Sequence, residues 1–217
     1  MKKEEKNGLF ISFEGIDGCG KSSIMKRVNE ILTARGYNVY SVREPGGVPI
    51  SESIRNIIMD NKNTDMDDRC EALLFAAARA QLVHSKLEPL LKEKCILLSD
   101  RYVDSSLVYQ GYARNLGFDG VMAINNFAMD GLWPDITFLI DIKTVDAQKR
   151  MHSDDKHEEN RLDVQKLKFY DMVAEAYSEL KSRFPERIKV IDGYQQFEDE
   201  AMQIAGVIEA KWIEMNS

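Results

Sequence analysis

What is scarce in these 217 residues narrows the field first. There are only three cysteines, Cys19, Cys70 and Cys95. Their number is odd and their spacing fits no metal site, so a disulfide framework is excluded and a reduced, cytoplasmic protein is expected. The three histidines, His84, His152 and His157, fall at no metal-ligand spacing. No apolar run approaches the length of a membrane span. The opening MKKEEKNGLFISF has too short an apolar stretch for a signal peptide, and Glu14 interrupts it, so neither leader nor membrane anchor is expected. A basic surplus is missing too: 29 Lys and Arg against 36 Asp and Glu leave a net charge of −7. A general nucleic-acid or membrane-surface binder wants a basic face, and that role is disfavoured. A small anionic substrate needs only a local cluster of Arg and Lys and stays open. No repeat, low-complexity tract or linker divides the chain, and its length suits one domain, 1–217.

What is present alternates. Apolar runs at Leu9–Glu14, Asn38–Val42, Cys95–Ser99, Ile136–Ile140 and Ile188–Ile191 read as five strands. Between them the spacing predicts helices over Lys21–Arg35, Ser51–Met59, Asp67–Glu88, Ser105–Tyr112, Asp119–Met129, Thr144–Met151 and Val164–Phe184. Phe197, Ala201, Ile204, Ala205, Ile208 and Trp212 mark one face of a last helix. The fold class is therefore α/β: a five-stranded parallel sheet with helices on both faces. The polar stretch HSDDKHEEN (His152–Asn160) is the candidate lid, within about 150–161.

Gly15-Ile-Asp-Gly-Cys-Gly20-Lys21-Ser22 fits G-x-x-x-x-G-K-[ST] and lies between a predicted strand and a predicted helix. The loop residues Gly15, Asp17, Gly18, Cys19, Gly20, Lys21, Ser22 and Ser23 are thus candidate ATP contacts. Glycines let the backbone N–H groups curl around a phosphate, and the helix adds its positive end. Lys21 reaches the β- and γ-phosphates, and the Ser22 hydroxyl ligates Mg²⁺. Cys19 fits either a small tolerated residue or a thiol made acidic by the loop's donors. Cys70 and Cys95 read as small buried groups. Trp133 and Trp212 read as packing residues. Asp100, Arg101 and Arg43 all follow directly on predicted parallel strands, where ligands of such sheets bind. Asp100 is placed to hold Mg²⁺ through water, and the arginines to fork onto a second phosphate.

Three further stretches carry a resemblance: REPGG (Arg43–Gly47), FAAAR (Phe75–Arg79) and DRYVDSSLVYQ (Asp100–Gln110), with NRLD (Asn160–Asp163) following in order. Together they resemble thymidylate kinases of the bacterial type along nearly the whole chain. The resemblance implies a P-loop nucleoside monophosphate kinase fold, transfer of a phosphoryl group from ATP to dTMP, a need for Mg²⁺ and a homodimer. It implies that Asp17 binds the sugar 3′-hydroxyl and that Arg43 and Arg101 hold the monophosphate. Arg55 is implied as a third acceptor contact and Phe75 as the ring that stacks on thymine. Arg79, Ser106 and Gln110 are implied near the base edge, Tyr109 beside the sugar, and a cis bond at Glu44–Pro45. Read from the residues alone, Phe75 fits a core position, Arg79 a surface arginine, Asp17 a turn and Gln110 a helix cap equally well.

Gly18 brings no charge to the loop, and the resemblance then implies that the lid supplies it. Arg161 in NRLD is the first candidate, with Arg150 and Lys156 behind it. The lid departs from the family pattern in carrying Asp154, Asp155, Glu158 and Glu159 among its cations. The runner-up functions are a kinase for another deoxynucleotide or a nucleoside, and a slow nucleotide switch. A switch gives Arg43, Phe75, Arg79 and Arg101 no shared purpose.

Overall fold

The computed structural model describes residues 6–152, 161–162 and 167–217. Its sheet has five parallel strands in the order β2-β3-β1-β4-β5. They are β1 (Leu9–Glu14), β2 (Val39–Arg43), β3 (Ile96–Asp100), β4 (Ile136–Asp141) and β5 (Ile188–Asp192). Every residue of β1 is buried, because the central strand of a parallel sheet is covered on both faces. The phosphate loop leaves its end. Register then brings the other candidates to the same edge: Asp100 pairs with Phe13 on one side and with Arg43 on the other.

Helix α1 (Lys21–Ala34) buries Ile24, Val28, Ile31 and Leu32, the predicted apolar stripe. Helices α2 (Pro49–Met59) and α3 (Asp68–Leu82) pack together. Asp67 caps α3 by accepting from Arg69 N at 2.9 Å. The helix predicted to stop at Glu88 instead passes through a π-turn (Val83–Leu87) into α4 (Glu88–Lys92). Pro89 has no N–H for the carbonyl four residues back, and widening the preceding turn lets the helix continue. A second π-segment (Leu107–Ala113) follows α5 (Val103–Ser106), in place of the regular helix expected there. Next come α6 (Phe118–Met129), α7 (Thr144–His152), α8 (Leu167–Arg183) and α9 (Phe197–Asn216). Apolar residues from the sheet and from both helical layers form one core cluster. Trp133 packs on Phe184 and Trp212 on Tyr37, as packing residues should. Cys95 is buried as expected, but Cys70 is exposed: it lies on the outward face of α3, with Leu73 and Ala77 one and two turns on.

Candidate active site

Helix α1 starts with no side-chain cap and no acidic residue in its first turn. Its leading N–H groups are left for an anion. Lys21 is buried at the loop, 3.5 Å from Asp17 Oδ1. Ser22 Oγ donates to Asp100 Oδ2. This hydroxyl–carboxylate pair fits Mg²⁺, which takes few protein ligands and completes its shell with water and phosphate oxygen. Among the described residues no cluster of three His, Cys, Asp or Glu side chains could hold a metal alone.

A cavity of about 300 Å³ runs from this pair. Asp17, Lys21, Ser22, Asp100 and Arg101 line one part, and Phe75, Arg79, Ser106, Tyr109 and Gln110 another, with Arg43 and Arg55 between the strand edge and α2. Arg101 Nη2 donates to Asp17 Oδ1 at 2.5 Å, and the Tyr109 hydroxyl donates to Asp17 Oδ2 at 3.0 Å. Burial works to raise the Asp17 carboxyl, but the charges of Arg101 and Lys21 and the Tyr109 hydroxyl hold it well below the usual range. Asp17 is therefore a fixed anion, able to accept from a hydroxyl.

Two guanidinium groups converge a short way off. Arg43 Nη1 and Arg55 Nη1 each donate to the Pro45 carbonyl at 3.1 Å. Burial and the charge of Arg43 both push the Arg55 pKa down. Like charges brought together this way mark a site for an anion. Glu52 steadies the group, accepting from Arg43 Nη2 at 2.9 Å and from Gly47 N at 2.7 Å. The Glu44–Pro45 bond is cis, as the resemblance implied.

Arg79 is not a surface arginine. It is 2% exposed, and its guanidinium donates to Glu44 Oε2 at 2.8 and 2.5 Å, to Ser106 Oγ at 3.0 Å and to Asn125 Oδ1. Phe75, one turn earlier, is half-buried and faces the cavity. Cys19 is buried, and desolvation pushes its thiol up despite the nearby charge of Lys21, so the acidic-thiol reading does not hold.

Gly18 has φ +82, and a Cβ there would lie 2.1 Å from the carbonyl oxygen of Ala147 on α7. The loop lacks a side chain at this point because the α7 backbone occupies its space. Three residues further along α7, Arg150 donates to Cys19 O at 3.4 Å and to Gly193 O at 3.1 Å. Arg161, the first choice for the lid's charge, is placed elsewhere. Its Nη2 donates to Glu71 Oε2 and its Nε to Ile58 O at 2.8 Å. A buried guanidinium goes where carboxylate and carbonyl partners satisfy it, and these lie on α2 and α3. Of these two arginines, Arg150 is the one that bonds the loop backbone. Lys156 lies outside the described residues.

Sequence reasoning missed two buried carboxylates. Glu71 stands four residues before the FAAAR stretch, yet nothing local shows that Gln110, Arg114 and Arg161 meet on it. Glu14 accepts from Tyr102 N at 2.7 Å, Ser105 Oγ at 2.6 Å and Tyr177 OH at 2.9 Å. Burial, reinforced by Asp104, raises its pKa to about 7. Through Ser105 and Tyr177, both reached by Arg101 Nη1, Glu14 braces the arginine that holds Asp17.

A phosphate loop at the centre of a parallel sheet, opening into a second anion pocket at the strand ends, defines a P-loop kinase of the nucleoside monophosphate class. The family model described as thymidylate kinase matches residues 13–204. A thymidylate kinase of Bacillus licheniformis is 45% identical over 203 residues, which cover 94% of this chain and 96% of that one. One of Clostridium novyi is 42% identical over 201 residues, covering 93% and 98%. The crystal structure of a thymidylate kinase from Ehrlichia chaffeensis superposes with a TM-score of 0.75 at 29% identity, over 93% of this chain and 98% of that one. The chain belongs to the thymidylate kinase family.

Proposed function

We infer that the protein transfers the γ-phosphoryl group of ATP to dTMP, giving dTDP and ADP. The observation that carries this is the continuity of one cavity, from Lys21 and Ser22 on the phosphate loop to Phe75, Arg79 and Gln110. An oxygen of the dTMP phosphate attacks the γ-phosphorus, the bond to the β–γ bridging oxygen breaks, and ADP leaves. Lys21 and the N–H groups of the loop and α1 hold the donor phosphates. Arg43, Arg55 and Arg101 hold the acceptor phosphate in line, Asp17 takes the sugar hydroxyl, and Tyr109 flanks the sugar. Phe75 supplies the stacking face, with Arg79, Ser106 and Gln110 around the base. Ser22 and Asp100 are the residues for Mg²⁺, which neutralises charge on the phosphate oxygens when bound. Arg150 is the cation assigned to the donor side, and Arg161 to the acceptor side. The segment about 150–161 is the proposed lid, since α7 rests on Gly18 and Arg161 bonds Glu71, which lines the cavity.

A homodimer is proposed on the outer face of α2, α3 and α6, which leaves Ile57, Leu73 and Phe127 exposed, the last at 90%. The cytoplasm is the proposed setting. No described helix is long and apolar enough to cross a membrane. The test is ADP release measured with dTMP, dUMP, dCMP, dGMP, AMP or no acceptor. Preference for dTMP is expected. Equal hydrolysis without acceptor refutes the reading and favours a switch, and preference for another acceptor favours a related kinase.

A further inference from the structure

The acceptor end of the cavity turns on Glu71, which lies on α3 at 1% exposure. Gln110 Nε2 donates to its Oε1 at 3.0 Å. Arg114 donates Nε to Oε1 at 3.2 Å and Nη2 to Oε2 at 3.0 Å. Arg161 Nη2 donates to Oε2. We propose that Glu71 is a positioning residue that sets which pyrimidine the site takes, by fixing the rotation of the Gln110 amide. The inference rests on the reading of this cavity as a nucleotide-acceptor site.

A primary amide offers an acceptor on one side and two donors on the other. A carboxylate flanked by two guanidinium groups only accepts, so the Gln110 NH₂ must face Glu71. Oε1 is thereby turned away from α3. Gln110 is 3% exposed and lines the cavity, and among the described residues none donates to its Oε1. A carboxylate held at both oxygens by forked donors cannot swing out of reach of the amide. The pocket is thus presented with a fixed acceptor. A 4-oxo pyrimidine, thymine or uracil, carries an N3–H that meets it. A 4-amino pyrimidine, cytosine, carries an N3 lone pair, which repels the oxygen and leaves it unpaired in a buried place. An amide free to rotate would take either base.

The test measures selectivity, the kcat/KM for dTMP divided by that for dCMP. Glu71→Gln keeps the shape but can donate or accept, which frees Gln110 to flip. Its selectivity is expected to fall about tenfold or more, through the acceptor KM and not the ATP KM. Glu71→Asp keeps the charge but draws the carboxylate back, and a smaller fall is expected. In a Gln110→Met background selectivity has already collapsed, and Glu71→Asp moves it no further. Should Glu71→Gln not fold, Glu71→Asp with and without Gln110→Met decides. Equal loss for both acceptors with selectivity kept overturns the proposal, leaving Glu71 a fold residue. So does an equal fall from Glu71→Asp in both backgrounds. A wild type with no preference for dTMP over dCMP refutes the acceptor assignment itself. A selective wild type with equally selective Glu71 variants sinks this inference alone.

Discussion

Gly18→Ala tests the link between the bare phosphate loop and Arg150. The added Cβ meets Ala147 O at 2.1 Å, where real contacts do not go below 3.0 Å, so loop and α7 must part. The gap to be opened is about 1 Å merely to reach that floor, and more before ordinary van der Waals separation is restored. The φ of +82 adds its own cost, about 1–2 kcal/mol for an L side chain. For a chain of this length that strain lowers Tm by about 2–8 °C. Gly36→Ala supplies the control, because Gly36 has φ +88 with nothing within 4 Å and lies outside the site. Both variants should lose similar stability from backbone strain. Only Gly18→Ala moves α7, and with it Arg150, whose bond to Cys19 O is already 3.4 Å. A misplacement of about 1 Å can cost as much as about 10²-fold in rate. The expected result is a fall in kcat/KM for ATP of about 10- to 100-fold in Gly18→Ala, none in Gly36→Ala, and a similar fall in Arg150→Met. The assay is ADP release at varied ATP with saturating dTMP, beside thermal unfolding. The reasoning is refuted if Gly18→Ala and Gly36→Ala have the same kcat/KM for ATP, or if Arg150→Met matches the wild type.

Arg161→Met should raise the dTMP KM while leaving kcat within about threefold, since Arg161 serves Glu71 and not the transferring group. A loss of about 10³ in kcat at unchanged acceptor KM would return it to the donor phosphates. Phe75→Ala should weaken dTMP binding and spare ATP. An equal effect on both, with a stability loss of about 3–5 kcal/mol, would make Phe75 a core residue. Glu14 has its pKa raised from 4.5 to about 7, so its proton stabilises the fold fully below pH 4.5 and the contribution is lost as pH rises through about 7. The shift corresponds to about 3 kcal/mol. Glu14→Gln, which mimics the protonated form, should match the wild type in urea unfolding at pH 5 and exceed it at pH 8. A difference that does not vary with pH would show that Glu14 is not the titrating group.

The sheet and the phosphate loop were legible because their signals are local. A strand buried on both faces shows as an unbroken apolar run, and the loop shows as glycines between strand and helix. Strand ends then carried Arg43, Asp100 and Arg101 to one edge without further information. Pairings across the chain were not legible. Arg161 and Glu71 are 90 positions apart, and Tyr177 and Glu14 are 163 apart. Apolar periodicity reports which face is buried and is silent on which buried carboxylate a given arginine will find. Arg161 sat in the better motif and Arg150 in the weaker one, yet placement depended on where each could be satisfied. The π-segment at Leu107–Ala113 was hidden for a related reason: one extra residue per turn leaves composition unchanged but re-aims Tyr109 and Gln110.

Net charge misleads for the same physical reason. A chain at −7 looks ill-suited to two polyanionic nucleotides. Yet four of the arginines that line the cavity are each tied to a carboxylate: Arg101 to Asp17, Arg43 to Glu52, Arg79 to Glu44, and Arg114 to Glu71. Those acids do not cancel the site's field so much as hold its guanidinium groups in place before any substrate arrives. Stabilisation of charge in phosphoryl transfer depends on donors that need not reorganise when the charge develops. An arginine on a flexible stem loses side-chain freedom at the moment of binding, whereas one already held by a buried acid has lost it on folding. Removing a carboxylate such as Glu44 or Glu71 would therefore make the pocket more positive and the site weaker. A count of charges points the other way.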